Sequence, residues 1–320
     1  MRAPRAPQFQ GDWYVSRSGY QVQDSFESDD LRWELAKVEG RDRYPMLVSE
    51  KGFGRDHFFH KTAPNPSTKW VIPVNHSFGD LEQYNPLRYK ALHREFSETC
   101  PTEDGVITFA NQYGLLGDGT CDLLPVGWED LEEDQVGTYG EPLFNWILQI
   151  RLMEMLVKLW DLYRVQSTSD DELAQHVGIE NDFATFRLDP VLERVALYNS
   201  LYYADFSAPL GFLNIKQESK IRWATRVLLE SAIGKRLAAL SEPRITLISG
   251  SQITLAPNNL LGVLYFEFAQ ETIGRADPLI RCAACGKWFV SHHASKKFCN
   301  DKCKMKAYRK DKKGAAVNGS

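Results

Sequence analysis

Hydrophobic and polar positions change rhythm several times along this 320-residue chain. Residues 1–30 are rich in Ser, Gly, Pro, Asp and Gln, and only GDWYVSRSGYQVQ at 11–23 reads as a candidate hairpin. An irregular stretch with Phe53, Phe58 and Phe59 follows, broken at Pro64-Asn65-Pro66, before KWVIPV at 69–74 reads as a short strand. Helical spacing begins at Asn85-Pro86, where Asn suits an N-cap and Pro the first helical position, and predicts a helix to about Thr99. A second helix carries Val106, Phe109, Ala110 and Tyr113 on one face and stops at Gly114. The Gly/Asp/Glu-rich stretch from Leu115 to Gly140 is the expected mobile connection.

The longest element starts near Glu141-Pro142 and runs to about Val165. Phe144, Ile147, Leu148, Leu152, Met155, Leu156, Leu159 and Tyr163 form a broad apolar stripe broken by Arg151, and Trp146, Met153 and Trp160 add a second flank. The pattern predicts a central helix covered on two sides. Ser169-Asp170 then caps DELAQHVGIE, which has the spacing of the first half of a helix-turn-helix, but NDFATFRLDP supplies no recognition helix, so a short surface helix is expected. Further helices are expected over 189–203, over 217–240 and from Pro257 to about Gly274. RITLISGSQITLAP alternates on both sides of Gly250-Ser251, a hairpin signal.

With 43% hydrophobic residues the chain can bury a large core, and one main body with a small appendage is the natural count. The start has no apolar signal-peptide run and no stretch reaches the ~18 apolar residues of a membrane span, so a cytoplasmic, most simply bacterial, protein with reduced Cys100 and Cys121 is expected. The net charge of −4 hides an asymmetry. Residues 275–320 carry twelve Lys/Arg against three Asp/Glu, a local +9, which leaves −13 on the rest. A basic end on an acidic body suits a polyanion met by that end alone; a lysine-rich solubilising end is the plainer alternative.

Chemistry concentrates in that basic end. Cys282, Cys285, Cys299 and Cys303 give C-x2-C-x13-C-x3-C. A two-residue gap lets the backbone wrap one ion at about 2.3 Å from both sulfurs, and a three-residue gap puts two sulfurs one helical turn apart. With Gly286 to relax the turn, the pattern points to one structural Zn2+ held by four thiolates. Two disulfides, an iron–sulfur cluster, or His292 or His293 replacing a thiolate are the alternatives. Asn300 can cap a helix to about Lys313, with both thiolates at its positive end. Lys302, Lys306, Arg309, Lys310 and Lys313 then line that helix, with Lys296 and Lys297 just before it, as candidate nucleic-acid contacts. Met305 and Tyr308 are expected to turn towards Trp288 and Phe289 and close a tiny core. Burial alone cannot hold so small a segment; structural zinc in finger peptides is worth about 10–16 kcal/mol.

Elsewhere no phosphate-binding glycine loop, Gly-x-Ser-x-Gly elbow or His-Glu-x-x-His occurs. Asp56, His57 and His60 form the nearest thing to a second metal or acid–base cluster, and Glu129–Asp134 places five carboxylates in six residues, more simply a solvated loop.

NNLLGVLYFEFAQETIG at 258–274, followed by LIRCAACGKWFVSHHASKKFCNDKCKMKAYRK at 279–310, resembles the C-terminal part of bacterial proteins ending in a CGNR-type zinc finger. FANQYGLLG and the long Trp-containing helix are also similar to the bodies of such proteins. Many carry an upstream ABATE-like domain and are regarded as stress-linked transcription regulators. Lys304-Met305-Lys306 stands where Gly-Asn-Arg names that finger, and residues 1–80 lack the usual ABATE opening. The resemblance therefore implies the four cysteines as zinc ligands and nucleic-acid binding as their setting.

The expected fold is α+β and mainly α: an irregular or β segment over 1–84, a helical body over 85–274 with one hairpin, a treble-clef-like zinc finger over 279–313, and a disordered tail over 314–320. The expected partner is nucleic acid, DNA ahead of RNA, and no membrane. A homodimer or a small-molecule ligand of the body is a further expectation. A protein- or RNA-interaction module with a purely structural finger, or an enzyme or receptor using the body, are the competing readings.

Overall fold

The computed structural model describes residues 13–23, 69–74, 80–117, 121–122, 139–188, 207–210, 219–246, 252–274, 279–291, 293 and 295–317. It is a mixed α/β protein in which seven α-helices and five small antiparallel sheets are seen among the described residues. At its centre lies helix α3, Leu143–Arg164, packed against α1 (Leu92–Ser97), α2 (Glu103–Tyr113) and α5 (Lys220–Leu240). Both expected flanks of α3 are covered: Leu148, Leu152, Leu156 and Leu159 are buried on one side, Trp146 and Met153 on the other. Trp146 closes an aromatic cluster with Phe96 and Phe109, ring centroids 6.3 and 6.2 Å away. Arg151, the polar interruption, reaches outward to Glu154 at 3.5 Å.

α2 begins at the Thr102 cap and ends at Gly114, whose φ of 79° is the left-handed turn a glycine permits. Helix α6, Leu260–Thr272, is capped by Asn259 and buried nearly all round, with Leu260, Leu261, Val263, Leu264 and Phe268 sealed. Its expected start at Pro257 is three residues early because Gln252–Pro257 is strand β11, paired in register with β10, Ser241–Thr246. The hairpin predicted there is present. It starts directly after α5, so Pro243 lies within a strand and the helix stops at Leu240.

Two expectations are corrected. The helix predicted over 85–99 is split: Asn85 caps a single 3-10 turn at Pro86–Arg88, Ala91 adopts φ 68°, and α1 starts only at Leu92. The cause lies on α6, where Glu267 accepts the amides of Leu92 (2.8 Å) and His93 (3.4 Å) and so fixes the helix start by tertiary contact. Next, Trp13–Ser16 (β1) and Tyr20–Gln23 (β2) do not form a hairpin with each other. β1 pairs with β4 (Leu81–Tyr84), while β2 joins β3 (Trp70–Pro73), β6 (Tyr139–Pro142) and β5 (Cys121–Asp122) in a four-stranded sheet.

The short helix expected after Ser169 is present: α4, Asp170–Ala174, is capped by Ser169 with a full capping box, and the residues beyond it form strands β7 (Val177–Glu180) and β8 (Phe183–Phe186), with no second helix. Asn181 and Asp182, at φ 48° and 64°, make the tight turn between them, and β9 (Ser207–Pro209) completes the sheet. The 189–203 helix and most of the 115–140 connection lie outside the described residues. Among the described residues no helix is long and apolar enough to cross a membrane.

Candidate metal centre

After α6 the chain forms a short hairpin of β12 (Leu279–Arg281) and β13 (Trp288–Val290), with Arg281 opposite Trp288. Cys282–Cys285 occupy its turn. The Cys282 amide donates to Lys287 O at 2.9 Å, and Gly286, at φ 75°, returns its amide to Cys282 O at 2.9 Å. A side chain at Gly286 would be strained by its backbone alone. The chain then folds back. Ala283 N donates to Lys297 O at 2.9 Å, and Cys299 N reaches Cys282 Sγ at 3.4 Å.

Asn300 caps the terminal helix α7, Asp301–Val317, by accepting the Cys303 amide at 2.9 Å, as the sequence predicts. The helix runs four residues past the expected end at Lys313. Cys303 thus sits in its first turn beside Cys299, just outside it.

The four Sγ atoms lie within 4.8 Å of one another. Cys299 and Cys303 are 3.5 Å apart and Cys285 and Cys299 3.7 Å. A tetrahedron with metal–sulfur bonds of about 2.3 Å has edges of about 3.8 Å, so the donor set fits one four-coordinate ion and is far from the ~2.05 Å of a disulfide. The thiols differ in acidity. Burial pushes Cys282 up, but the amides of Cys299, Ala284 and Cys285 outweigh it and bring the pKa down to about 6. Burial and the three neighbouring thiols push Cys299 up to about 12, and Cys303 is also raised. Four sulfurs this close cannot all ionise without a cation between them. His293 is exposed and engaged with Ser291; His292 lies outside the described residues.

The hairpin is seated on the body. Trp288 Nε1 donates to Glu98 Oε1 at 2.9 Å, Arg281 donates to Glu98 Oε2 at 3.2 Å, and the Arg94 guanidinium lies over the Trp288 ring, 4.6 Å from its centroid. Trp288 therefore faces α1, not α7. Met305 and Tyr308, expected to close a core with it, are exposed. They lie two and five residues beyond Cys303, about 160° and 140° round the helix from the metal-facing side at ~100° per residue.

Behind Trp288 is a buried ionic cluster that the sequence reading missed. Arg94 is 1% exposed and donates to Asp161 at 2.8 and 2.9 Å and to both oxygens of Glu271. His93, equally buried, bridges Glu271 (2.8 Å) and Glu267 (3.4 Å) through its two ring nitrogens, and Arg164 reaches Asp161 at 3.0 Å. Three carboxylates face two guanidiniums, so a proton on His93 balances the set. Burial opposes that proton, yet the glutamates raise the His93 pKa above its usual value, while Glu271 is held down at about 2 by His93 and Arg94 against the effect of burial. A signal was available: Glu267 and Glu271 sit at i and i+4 on an otherwise apolar helix, and such carboxylates need buried partners.

Of the candidate polyanion contacts, Lys302, Lys306 and Arg309 are exposed along α7, as is Lys304 between them. Lys297 is exposed, and Lys296 lies over the Phe289 ring at 5.4 Å. Lys310 and Lys313 are on α7, but their side chains lie outside the described residues, as do Asp56, His57, His60 and Glu129–Asp134. Comparison of the chain with protein-family models, with curated proteins and with solved structures gives no match in any of the three.

Proposed function

We propose that residues 279–313 are a treble-clef-like finger built on one structural Zn2+, and that α7 binds DNA along its phosphates, making the chain a bacterial DNA-binding regulator whose body senses a ligand or dimerises. The observation that carries this reading is the sharing of one helix: its first turn supplies a metal ligand, while Lys302, Lys304, Lys306 and Arg309 stand exposed on its other sides. The soft four-sulfur tetrahedron favours zinc over harder cations. The resemblance to CGNR-type endings supports the same assignment. Neutralising ~4 phosphates gives a log–log salt slope of about −3.6. Lysine and arginine along a rail supply phosphate contacts more readily than a base code, so modest sequence preference is expected.

The test is metal analysis of the purified full chain together with duplex titrations at two salt concentrations. A triple variant, K302Q/K306Q/R309Q, should keep its zinc and lose the binding and its salt slope. Equal binding by the variant and the wild type sinks the proposal and leaves a finger that only staples the C-terminus.

A second reading rests on a cavity of about 770 Å3 between α3, α5 and α6, lined by Trp160, Leu229, Ile233, Leu237, Phe266 and Ile273 among others, with Arg226 and Glu230 also in its wall. It is an open groove with Leu255 and Ile273 exposed on its wall, and its volume falls in the range of small-molecule sites. A Cβ added at Gly234 meets nothing within 4 Å, so Gly234→Leu projects into this space and takes up part of it. If the body is a receptor, that variant loses saturable uptake of an apolar fluorescent dye; unchanged uptake ends the reading.

A further inference from the structure

We infer that the face of α7 opposite the metal docks single-stranded DNA, a narrowing that rests on the nucleic-acid reading above. Met305 and Tyr308 are 52% and 58% exposed, side by side one helical turn apart. On one edge of this strip stands Lys304. On the other stand Lys302, Lys306 and Arg309, all exposed, and none has an ion-pair partner among the described residues. Tyr308 likewise has no ring contact with any described aromatic side chain.

A phosphate rail alone would need only the cations. An aromatic ring and a thioether between Lys304 on one edge and three cations on the other add what an unpaired strand requires: a platform on which a base can stack, with phosphates held beside it. In a duplex the base faces are already stacked, so the Tyr308 ring face would go unused there. DNA is taken over RNA from the nucleic-acid reading above, and the RNA titration decides between them. The charge of −13 outside residues 275–320 keeps a strand on α7 and away from the body.

The experiment titrates the zinc-loaded full chain into a labelled mixed-sequence 20-mer, its duplex, and RNA of the same sequence, all at one salt concentration. Three proteins are compared: wild type, Tyr308→Ala and Tyr308→Phe. Tyr308 is 58% exposed and makes no hydrogen bond or ring contact with a described residue, so circular dichroism and zinc content should be unchanged in both variants. The single strand should bind more tightly than the duplex and at least as tightly as the RNA. Tyr308→Ala should weaken single-strand binding by about five- to a hundredfold, Tyr308→Phe should restore it, and duplex binding should stay within about twofold.

Duplex binding that matches or exceeds single-strand binding, with Tyr308→Ala neutral, overturns the inference and leaves the duplex proposal standing. RNA bound tenfold tighter than DNA overturns it in favour of RNA. Self-association lost in Tyr308→Ala without any strand binding assigns the face to a second copy. No binding to any nucleic acid removes both this inference and the reading beneath it.

Discussion

Arg94 lies over the ring of Trp288 with its Cζ 4.6 Å from the centroid, and this contact joins the cysteine-bearing hairpin to the ionic cluster of the body. The two residues also share a neighbour: Glu98, four residues after Arg94 on the same turn of chain, accepts the indole N–H and the Arg281 guanidinium. Position and charge at the hairpin are thus set by α1.

Replacing Trp288 with Ala removes a stacked guanidinium and a hydrogen bond to a carboxylate. Terms of about 1–2 and 1.5–3 kcal/mol are typical of such contacts, so the expected loss in urea unfolding is on the order of 2–4 kcal/mol. Metal content is expected to match that of the wild type, since Trp288 is not among the four cysteines; metal lost together with stability would show that the seat also builds the centre.

Arg94→Met should cost more. It leaves Glu271, nearly closed to water, without its main partner, while Asp161 stays partly open to solvent and paired with Arg164; stranding a buried carboxylate typically costs about 3–5 kcal/mol. The double variant Arg94→Met/Glu271→Leu should recover part of that loss, because the stranded charge is removed with its partner. A double variant no more stable than the single one would contradict this account.

Stability should fall on both sides of neutrality for separate reasons. The Glu271 pKa is depressed to about 2, so its contribution is present above its unfolded value near 4.5 and is lost as the pH falls through that window. The His93 pKa is raised, so its contribution is complete below about 6.5 and is lost as the pH rises through the folded value. Urea midpoints measured from pH 2 to 9 should flatten on the acid limb in Glu271→Gln and on the alkaline limb in His93→Gln. Unchanged limbs would place the titrating groups elsewhere.

Metal removal should be local. Chelation, or Cys303→Ser, is expected to release amide-exchange protection across 279–309 while α3 and α6 keep theirs, because their cores share no ligand with the centre. Simultaneous loss over α3 would mean that the seat on Glu98 and Arg94 carries more of the body's stability than its contacts suggest.

Asp182→Gly should stabilise the β7–β8 hairpin. Asp182 sits at φ 64°, where a non-glycine residue is strained, and Asn-Gly is the preferred pair for this turn. A gain of about 0.5–1 kcal/mol in urea unfolding is expected; a loss would show that the Asp182 side chain has a role beyond the turn.

The sequence was most legible where one local pattern decides the outcome. The cysteine spacing, the Gly114 stop, the two-sided α3 and the β10–β11 hairpin all rest on residues within one element or one turn. It was least legible where a distant residue decides. Glu267 sets where α1 begins, and the partners of β1 and β2 lie some sixty residues away in sequence. Asn181-Asp182 was a readable turn signal between VGIE and FATF, overridden by attention to helical spacing. For Trp288, a cysteine pattern that rightly brings four sulfurs together suggested a self-contained core, whereas the ring is spent on the body; the angular position of Met305 and Tyr308 relative to Cys303 already placed them on the far side of the helix.

The amides capped by Glu267 also bear on the order in which the chain can fold. A six-residue helix does not persist alone in water, and the carboxylate that holds the start of α1 arrives 175 residues later in sequence. During synthesis α1 can dock on α3 first, through its packing and the Arg94–Asp161 pair, but its opening amides wait for their carboxylate until α6 has been made. The last contact of the first helix is thus one that closes a long loop.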